Sequence, residues 1–172
     1  SIGVNDVLRD FGMTEDGINR IYFADKYRWT AGMNGFGDLT ISNSYISKPI
    51  TNTHGYGVSD TYYGTGAHEA GHRVAHLLLI RLMDGASNLE IATARSNNKI
   101  ETYIIREARR RFGSNPPISG YGSKNVGEKI AEAVSDVYAN GTNANPYSVV
   151  IVDVMRDINN GIFTPKIRRR KS

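Results

Sequence analysis

The spacing of apolar residues changes character between the two halves of the chain. The first dozen residues predict a short helix, because their apolar side chains recur at helical spacing: Val4, Val7, Leu8 and Phe11. Residues 18–23 and 27–30 are rich in β-branched and aromatic side chains, and residues 38–45 alternate along the chain. These three stretches predict strands, the last one half-buried. Residues 48–66 are dense in Pro, Gly, Thr, Asn and Ser, which predicts a loop.

Helical patterns fill the rest of the chain. Residues 67–84 predict one long helix. Ser87 and Glu90 form a capping-box pattern at the start of another helix, and residues 126–139 predict a further one. Asn145, with a proline directly after it, is a cap pattern for a last helix. Strands that precede a run of helices predict an α+β fold.

The composition fits one globular domain. The chain has 172 residues, of which 40% are hydrophobic and 22% charged, and we expect a single domain at 1–165 and a basic tail at 166–172. No run approaches the roughly 20 apolar residues that a membrane helix needs, and no signal-peptide pattern is visible. We therefore expect no membrane partner, and a cytoplasmic or virion-associated location rather than secretion. Cysteine is absent, so histidines and carboxylates would have to hold any metal.

Positive charge is concentrated in two runs. The formal net charge is +4, and basic residues cluster at 109–111 and 168–171. Such runs are usually solvated helix ends or chain tails. Contact with nucleic acid is the alternative, but neither run carries interleaved aromatic residues. The charge pattern therefore gives little support for nucleic acid as a partner.

The pentapeptide His68-Glu69-Ala70-Gly71-His72 carries the clearest chemical signal. Residues four apart on a helix project from one face, about 6 Å apart along the axis, so two imidazoles can reach one ion at about 2.0–2.1 Å. Glu69 lies beside the pair and could act as general base on a metal-bound water. The flanking residues are mostly apolar, which predicts a buried helix whose histidines need partners. The motif therefore predicts a zinc site.

Two further histidines are weaker candidates for this site. His76 lies one turn further along the same face, but three ligands on one straight helix span too far for one ion. Its simpler interpretation is a hydrogen-bonded residue in the wall of the site. His54, in the loop before the helix, is interpreted as a structural or surface residue, or alternatively as a donor to the transition state.

A catalytic zinc takes three ligands from the protein and keeps one position for water. With no cysteine, a downstream carboxylate is the economical third ligand, and five glutamates qualify: Glu90, Glu101, Glu107, Glu128 and Glu132. Glu132 is favoured because it stands in an apolar helix with Asp136 four residues later on the same face. We expect Glu132 to bind the metal while Asp136 accepts a hydrogen bond from a ligand histidine and fixes its tautomer. Glu128, one turn earlier, is the main alternative.

The motifs at 68–72 and 132–136 together resemble the motif pair of the gluzincins, the thermolysin-like zinc peptidases. In that family the first motif supplies two zinc ligands and the base, and the second supplies the third ligand and an acidic partner. The gap between the motifs is wider here than in thermolysin, so the resemblance covers the motifs alone. The third histidine of the metzincin pattern is missing. A looser resemblance over residues 38–160, carried by 118–121 and 138–141, is to zincin-like domains of phage and mobile-element proteins.

The resemblance implies a zincin-like fold, in which a small mixed sheet places an edge strand over the active helix and a helical part follows. Residues 38–45 would be that edge strand and would pair with an extended substrate, although an ordinary sheet strand fits equally. The implied activity is zinc-dependent hydrolysis of a protein or peptide, with Glu69 moving a proton from water to the leaving amine. Tyr121 is our choice for the donor to the oxyanion, with Tyr138 as the alternative. The rival interpretation is a non-catalytic zincin-fold module, structural in a virion or binding nucleic acid.

Overall fold

Six helices and three strands form the regular structure of the residues that the computed structural model describes, 2–14, 18–25, 31–42, 57–59 and 61–167. The helices are α1 (Ile2–Asp10), α2 (Tyr62–Leu82), α3 (Asn88–Ser96), α4 (Lys99–Phe112), α5 (Val126–Asn140) and α6 (Pro146–Asn159). The strands are β1 (Arg20–Ala24), β2 (Ala31–Met33) and β3 (Asp38–Ser42). Short 3-10 turns at Tyr121–Ser123 and Gly141–Asn143 flank α5. The predicted α+β class is confirmed, and most of the regular structure is helical.

The three strands form one mixed sheet in the order β1-β3-β2. β1 runs parallel to β3, with Ile21 opposite Leu39, and β2 runs antiparallel to β3. The prediction that residues 38–45 form an edge strand is therefore wrong for the described part of that stretch. Because β3 is paired on both sides, its backbone has no free edge to offer to a substrate. Residues 43–45 and the predicted strand at 27–30 lie outside the described residues.

Helix α2 begins at Tyr62, within the stretch that the sequence predicts as loop. Thr61 caps it, and its Oγ1 accepts a hydrogen bond from the backbone N of Gly64 at 2.9 Å. The first five residues of α2 include Gly64 and Gly66, and glycine has a low helix propensity. Contacts with α5 offset that cost, since Ser135 Oγ donates to the backbone O of Gly64 at 2.7 Å.

Local capping signals place the later helices as predicted. Ser87 Oγ accepts from the backbone N of Glu90 at 3.1 Å and starts α3. Asn145 Oδ1 accepts from the backbone N of Tyr147 at 2.9 Å and starts α6. Gly113 ends α4 with a φ of 89°, a left-handed conformation that glycine adopts without strain. The starts at Ser87 and Asn145 depend on single capping residues, which explains why the sequence alone predicts them.

The packing of α2 against α5 forms the centre of the molecule. Gly71 makes the close approach possible, because a Cβ built there would lie 3.0 Å from the Cβ of Val134 and 3.1 Å from the Cα of Ala131. Helix α1 packs on α2, and α6 packs on α4 and α5. The sheet reaches α2 through β2, and Arg73 Nη1 donates to the backbone O of Gly35 in the β2–β3 turn at 3.1 Å. α2 is therefore packed against α5, α1 and β2, and the histidines lie on the side that faces α5.

The described chain ends against α4. Tyr103 on α4 donates its hydroxyl to the backbone O of Lys166 at 2.8 Å, and Ile167 packs on the core. The rest of the predicted basic tail, 168–172, lies outside the described residues. In the described part of the chain, no helix combines the length and the hydropathy that crossing a bilayer requires.

Candidate metal centre

The two histidines of the pentapeptide project from one face of α2 toward α5. Their ring centroids are 5.0 Å apart, with the rings at 76° to each other. The His68 side chain is 11% exposed and that of His72 is 31% exposed, so the pair runs from the interior to the surface. The helical spacing of four residues thus produces the juxtaposition that the sequence predicts.

Glu128 on α5 faces the Nε2 atoms of both histidines. Its Oε2 lies 3.0 Å from Nε2 of His68, and its Oε1 lies 3.2 Å from Nε2 of His72. One ligand atom from each of the three residues falls within 4.8 Å of the other two. Among the described residues, this is the group of side chains that could hold a metal ion.

One oxygen of this group is buried without a hydrogen bond. Oε2 of Glu128 finds no hydrogen-bond partner among the described residues, since its short approach to His68 lacks hydrogen-bond geometry. A buried carboxylate oxygen left in this way costs free energy, and a cation at that point would remove the cost. Two imidazole nitrogens and a carboxylate oxygen are also the donor set of a catalytic zinc. The residues present therefore fit a zinc ion.

Glu132 lies at the other nitrogen of His68. Its Oε2 is 3.1 Å from Nδ1 of His68, while its Oε1 accepts from the backbone N of Val58 at 3.1 Å and from Ser119 Oγ at 2.8 Å. The sequence predicts Glu132 as the third ligand, but the structure has Glu128 at the Nε2 atoms and Glu132 behind the ring. The reason is the crossing of α2 and α5, which brings the earlier turn of α5 to the open face of the histidines.

The prediction that Asp136 accepts a hydrogen bond from a ligand histidine is wrong. Its carboxylate accepts from Asn140 Nδ2 at 2.7 Å, from the backbone N of Asn145 at 2.9 Å and from Ser148 Oγ at 2.7 Å. These bonds join the end of α5 to the start of α6. Glu132 occupies the place beside the histidine ring that the sequence assigns to Asp136.

Glu69, the predicted general base, directly follows His68 on α2. It is 8% exposed on the buried part of α2, and its charge contributes to the raised pKa of His68. A carboxylate in an apolar helix is costly to bury. A general base in this centre would be a carboxylate close to the ligand histidines.

Of the two candidate tyrosines, the structure brings Tyr121 to the centre. Its ring meets the ring of His68 edge-on, with centroids 5.4 Å apart, and Nζ of Lys124 lies 4.6 Å from the Tyr121 centroid. The hydroxyl of Tyr138 instead donates to Asp10 Oδ2 at 2.9 Å, at the end of α1. Tyr138 therefore has a partner away from the histidines.

The charges around His68 raise its pKa. Burial alone would lower the pKa, but the carboxylates of Glu128 and Glu132 more than offset it and raise the pKa of His68 to about 10. The same contacts hold the pKa of Glu128 well below its usual range, against the effect of burial. The carboxylates thus favour positive charge at this point, and a metal ion would compete with a proton for His68.

His76 has a different environment, and the prediction that it is hydrogen-bonded is confirmed. Arg73 Nη1 lies 3.2 Å from Nδ1 of His76, so the guanidinium donates and the ring nitrogen accepts. Burial, followed by the charges of Arg95 and Arg73, lowers the pKa of His76 to about 4. His54 lies outside the described residues.

The first basic run is partly neutralised by ion pairs. Nη2 of Arg110 lies 2.6 Å from Glu107 Oε1, and Nη1 of Arg111 lies 2.7 Å from Asp157 Oδ2. Exposed pairs like these contribute little stability, but they direct two of the arginines toward carboxylates of the same molecule. The second run, at 168–171, lies outside the described residues.

Sequence reasoning missed Val58 and Ser119 at the centre, and Arg73 beside His76. Arg73 carried a signal, since a charged residue inside an apolar helix needs a partner. Val58 acts through its backbone, and Ser119 is one serine among many in loops. Neither could be found without the fold.

The chain has no match among protein-family profiles, curated proteins or solved structures. The function is therefore argued from the arrangement of side chains. Two features of that arrangement matter most: the carboxylate of Glu128 between the two Nε2 atoms, and the buried Glu69 beside them.

Proposed function

We propose that this chain is a zinc-dependent peptidase in which His68, His72 and Glu128 hold the ion and Glu69 is the general base. The observation that carries the proposal is the buried Oε2 of Glu128, which lies between the two imidazoles without a hydrogen-bond partner in the described part of the chain. This oxygen and the two Nε2 atoms form the open face of a site with the donors that zinc prefers.

Each residue of the centre has a separate task in this proposal. Glu132 accepts the Nδ1–H of His68, which leaves the Nε2 lone pair for the ion. Bound Zn²⁺ would supply a Lewis acid that lowers the pKa of water and polarises the substrate carbonyl. Glu69 takes a proton from the attacking water and returns it to the amine that leaves. Tyr121, beside His68, is the candidate donor to the oxyanion.

A zincin-like arrangement is part of the proposal. The contact of β2 with α2, and the bond from Arg73 to Gly35, support a sheet that flanks the active helix. The substrate edge cannot be β3, which is central, so β1 or β2 would have to supply it. The substrate class is an extended protein or peptide segment.

The rival function is a non-catalytic module of a virion or a nucleic-acid-binding protein. A structural metal site does not need Glu69, whose burial costs free energy. The ion pairs of Arg110 and Arg111 do not favour a nucleic-acid surface on α4. The peptidase is therefore the function that these contacts support best.

The deciding experiment is the variant Glu69→Gln, compared with Glu90→Gln on α3 as a control. Glu69→Gln should keep one zinc per chain by elemental analysis and lose about 10²–10⁴-fold in peptide hydrolysis, because it removes the base and spares the ligands. Glu90→Gln should keep both properties. Full activity in Glu69→Gln would refute the mechanism, and zinc-loaded wild-type protein that cleaves neither peptides nor denatured proteins would favour the structural module.

A further inference from the structure

The loop between α4 and the 3-10 turn at Tyr121–Ser123 reaches the centre through one serine. Ser119 Oγ lies 2.8 Å from Glu132 Oε1 and donates to it. The same oxygen accepts from the backbone N of Gly122 at 2.9 Å. An amide N–H can only donate and an ionised carboxylate can only accept. The single hydroxyl proton of Ser119 therefore points to Glu132, and its oxygen accepts from Gly122.

The carboxylate of Glu132 is held at both oxygens. Oε1 receives two donors, Ser119 Oγ and the backbone N of Val58, and Oε2 lies 3.1 Å from Nδ1 of His68. The residue is 4% exposed, so water does not replace these partners readily. A glutamate carboxylate otherwise rotates broadly about its last bond. A single bond to His68 would leave that rotation free.

We propose that Ser119 is a positioning residue of the metal centre, whose hydroxyl fixes the Glu132 carboxylate so that Glu132 orients the ring of His68. The inference deepens the proposed function and depends on it. Ser119 acts through two bonds in series and touches neither the ion nor the substrate. Its bond to Gly122 also anchors the 3-10 turn that carries Tyr121, so one hydroxyl connects the two elements that contact His68.

The physical basis is the cost of orienting a ligand. An imidazole whose second nitrogen is bound to a fixed acceptor keeps one tautomer and one ring orientation, and such partners typically account for about 10–100-fold in metal affinity. If the Ser119 hydroxyl is lost, Val58 still donates to Oε1 of Glu132. The carboxylate would then be held less firmly, but it would keep part of its hold on the His68 ring. We therefore expect an effect near the lower end, about 10-fold.

The test compares three variants for zinc affinity, measured by competition with a chromophoric chelator. Ser119→Ala should weaken zinc binding about 10-fold, and Ser119→Thr, which keeps the hydroxyl, should restore most of it. Ser135→Ala is the matched control, because Ser135 is buried on α5 and donates to the backbone of Gly64 at 2.7 Å instead of to the centre. It should lower the unfolding temperature of the metal-free protein and leave zinc affinity unchanged.

A double-mutant comparison tests the path through Glu132. In a Glu132→Gln background, Ser119→Ala should have little further effect on zinc affinity, because its effect passes through that carboxylate. Additive losses would overturn the inference, as would equal zinc affinity in Ser119→Ala and wild type, or no rescue by Ser119→Thr. Wild-type protein that takes up no zinc would overturn the proposed function together with this inference, so the two failures are distinguishable.

Discussion

His68 and His76 lie about two turns apart on α2, and they are equally buried, at 9% exposure each. Their pKa values nevertheless move in opposite directions from the usual 6.5. The pKa of His68 is raised to about 10, and that of His76 is lowered to about 4. Burial lowers both. The difference therefore comes from the neighbours: Glu128 and Glu132 of α5 surround one ring, and the guanidiniums of Arg95 and Arg73 surround the other.

This contrast explains why, of three evenly spaced histidines on one helix, only two belong to the proposed metal site. His72 and His76 are also four residues apart, so spacing alone would allow a second pair. Arg73 donates to Nδ1 of His76, and two positive charges oppose a cation there. Spacing brings histidines together, and the charges around each ring decide which of them are suited to a cation.

The largest effect should follow from removing one histidine at a time. His68→Ala and His72→Ala should each abolish stoichiometric zinc binding, because each removes one of three ligands. His76→Ala should bind zinc as the wild type does. Elemental analysis after dialysis measures the zinc content of all three variants. Equal zinc content in the three would contradict both the proposed site and the difference between His68 and His76.

The two glutamates that face His68 should differ less strongly in how much zinc affinity is lost when each is replaced. Glu128→Gln should lose most of the zinc affinity, since it changes a ligand. Glu132→Gln should lose about 10–100-fold, as a partner of a ligand does. Chelator competition gives both dissociation constants, and the reverse order would restore Glu132 as the ligand that the sequence predicts.

In the metal-free protein, His68 and His76 should make stability depend on pH in opposite directions. The raised pKa of His68 contributes stability that is complete below 6.5 and is lost as pH rises toward about 10. His76 stays neutral in the fold while the unfolded chain takes up a proton, so stability falls as pH drops from 6.5 toward about 4. Urea unfolding across this range should lose the alkaline slope in His68→Gln and the acidic slope in His76→Gln. A variant that keeps its slope would contradict the environment assigned to that histidine.

The smallest effect concerns Glu101 on α4, whose carboxyl interacts with both His72 and Arg95. Burial raises the pKa of Glu101, and its Oε2 has no hydrogen-bond partner in the described part of the chain. Its charged form therefore destabilises the fold increasingly as pH rises above 4.5. Glu101→Gln should raise the free energy of unfolding by about 1 kcal/mol at pH 7, with a smaller gain near pH 4. Lower stability of this variant at pH 7 would show that the fold requires the charge.

The sequence predicts the first half of the site well because the information there is local. The spacing of His68 and His72, and the position of Glu69, need only an α-helix. The third carboxylate depends on which turn of α5 crosses α2, and that is set by packing at Gly71. A choice between Glu128 and Glu132, four residues apart on one face, cannot be made from either helix alone.

The same distinction applies to the fold. The starts of α3 and α6 are determined by single capping residues, Ser87 and Asn145, and were predictable. The place of β3 in the sheet depends on its parallel pairing with β1, which no alternation pattern reveals. An edge strand and a central strand with one buried face have the same period of two.

Gly71 also has a consequence for redesign. It lies inside the pentapeptide that supplies both histidines, and it sets how closely α5 and its carboxylates approach them. A side chain there would force its neighbours in α5 apart by a few tenths of an ångström, which would enlarge the space available to the ion. Since metal ions differ in radius and in preferred bond length, a substitution at Gly71 would alter the ion preference of the proposed centre without changing any of its ligands.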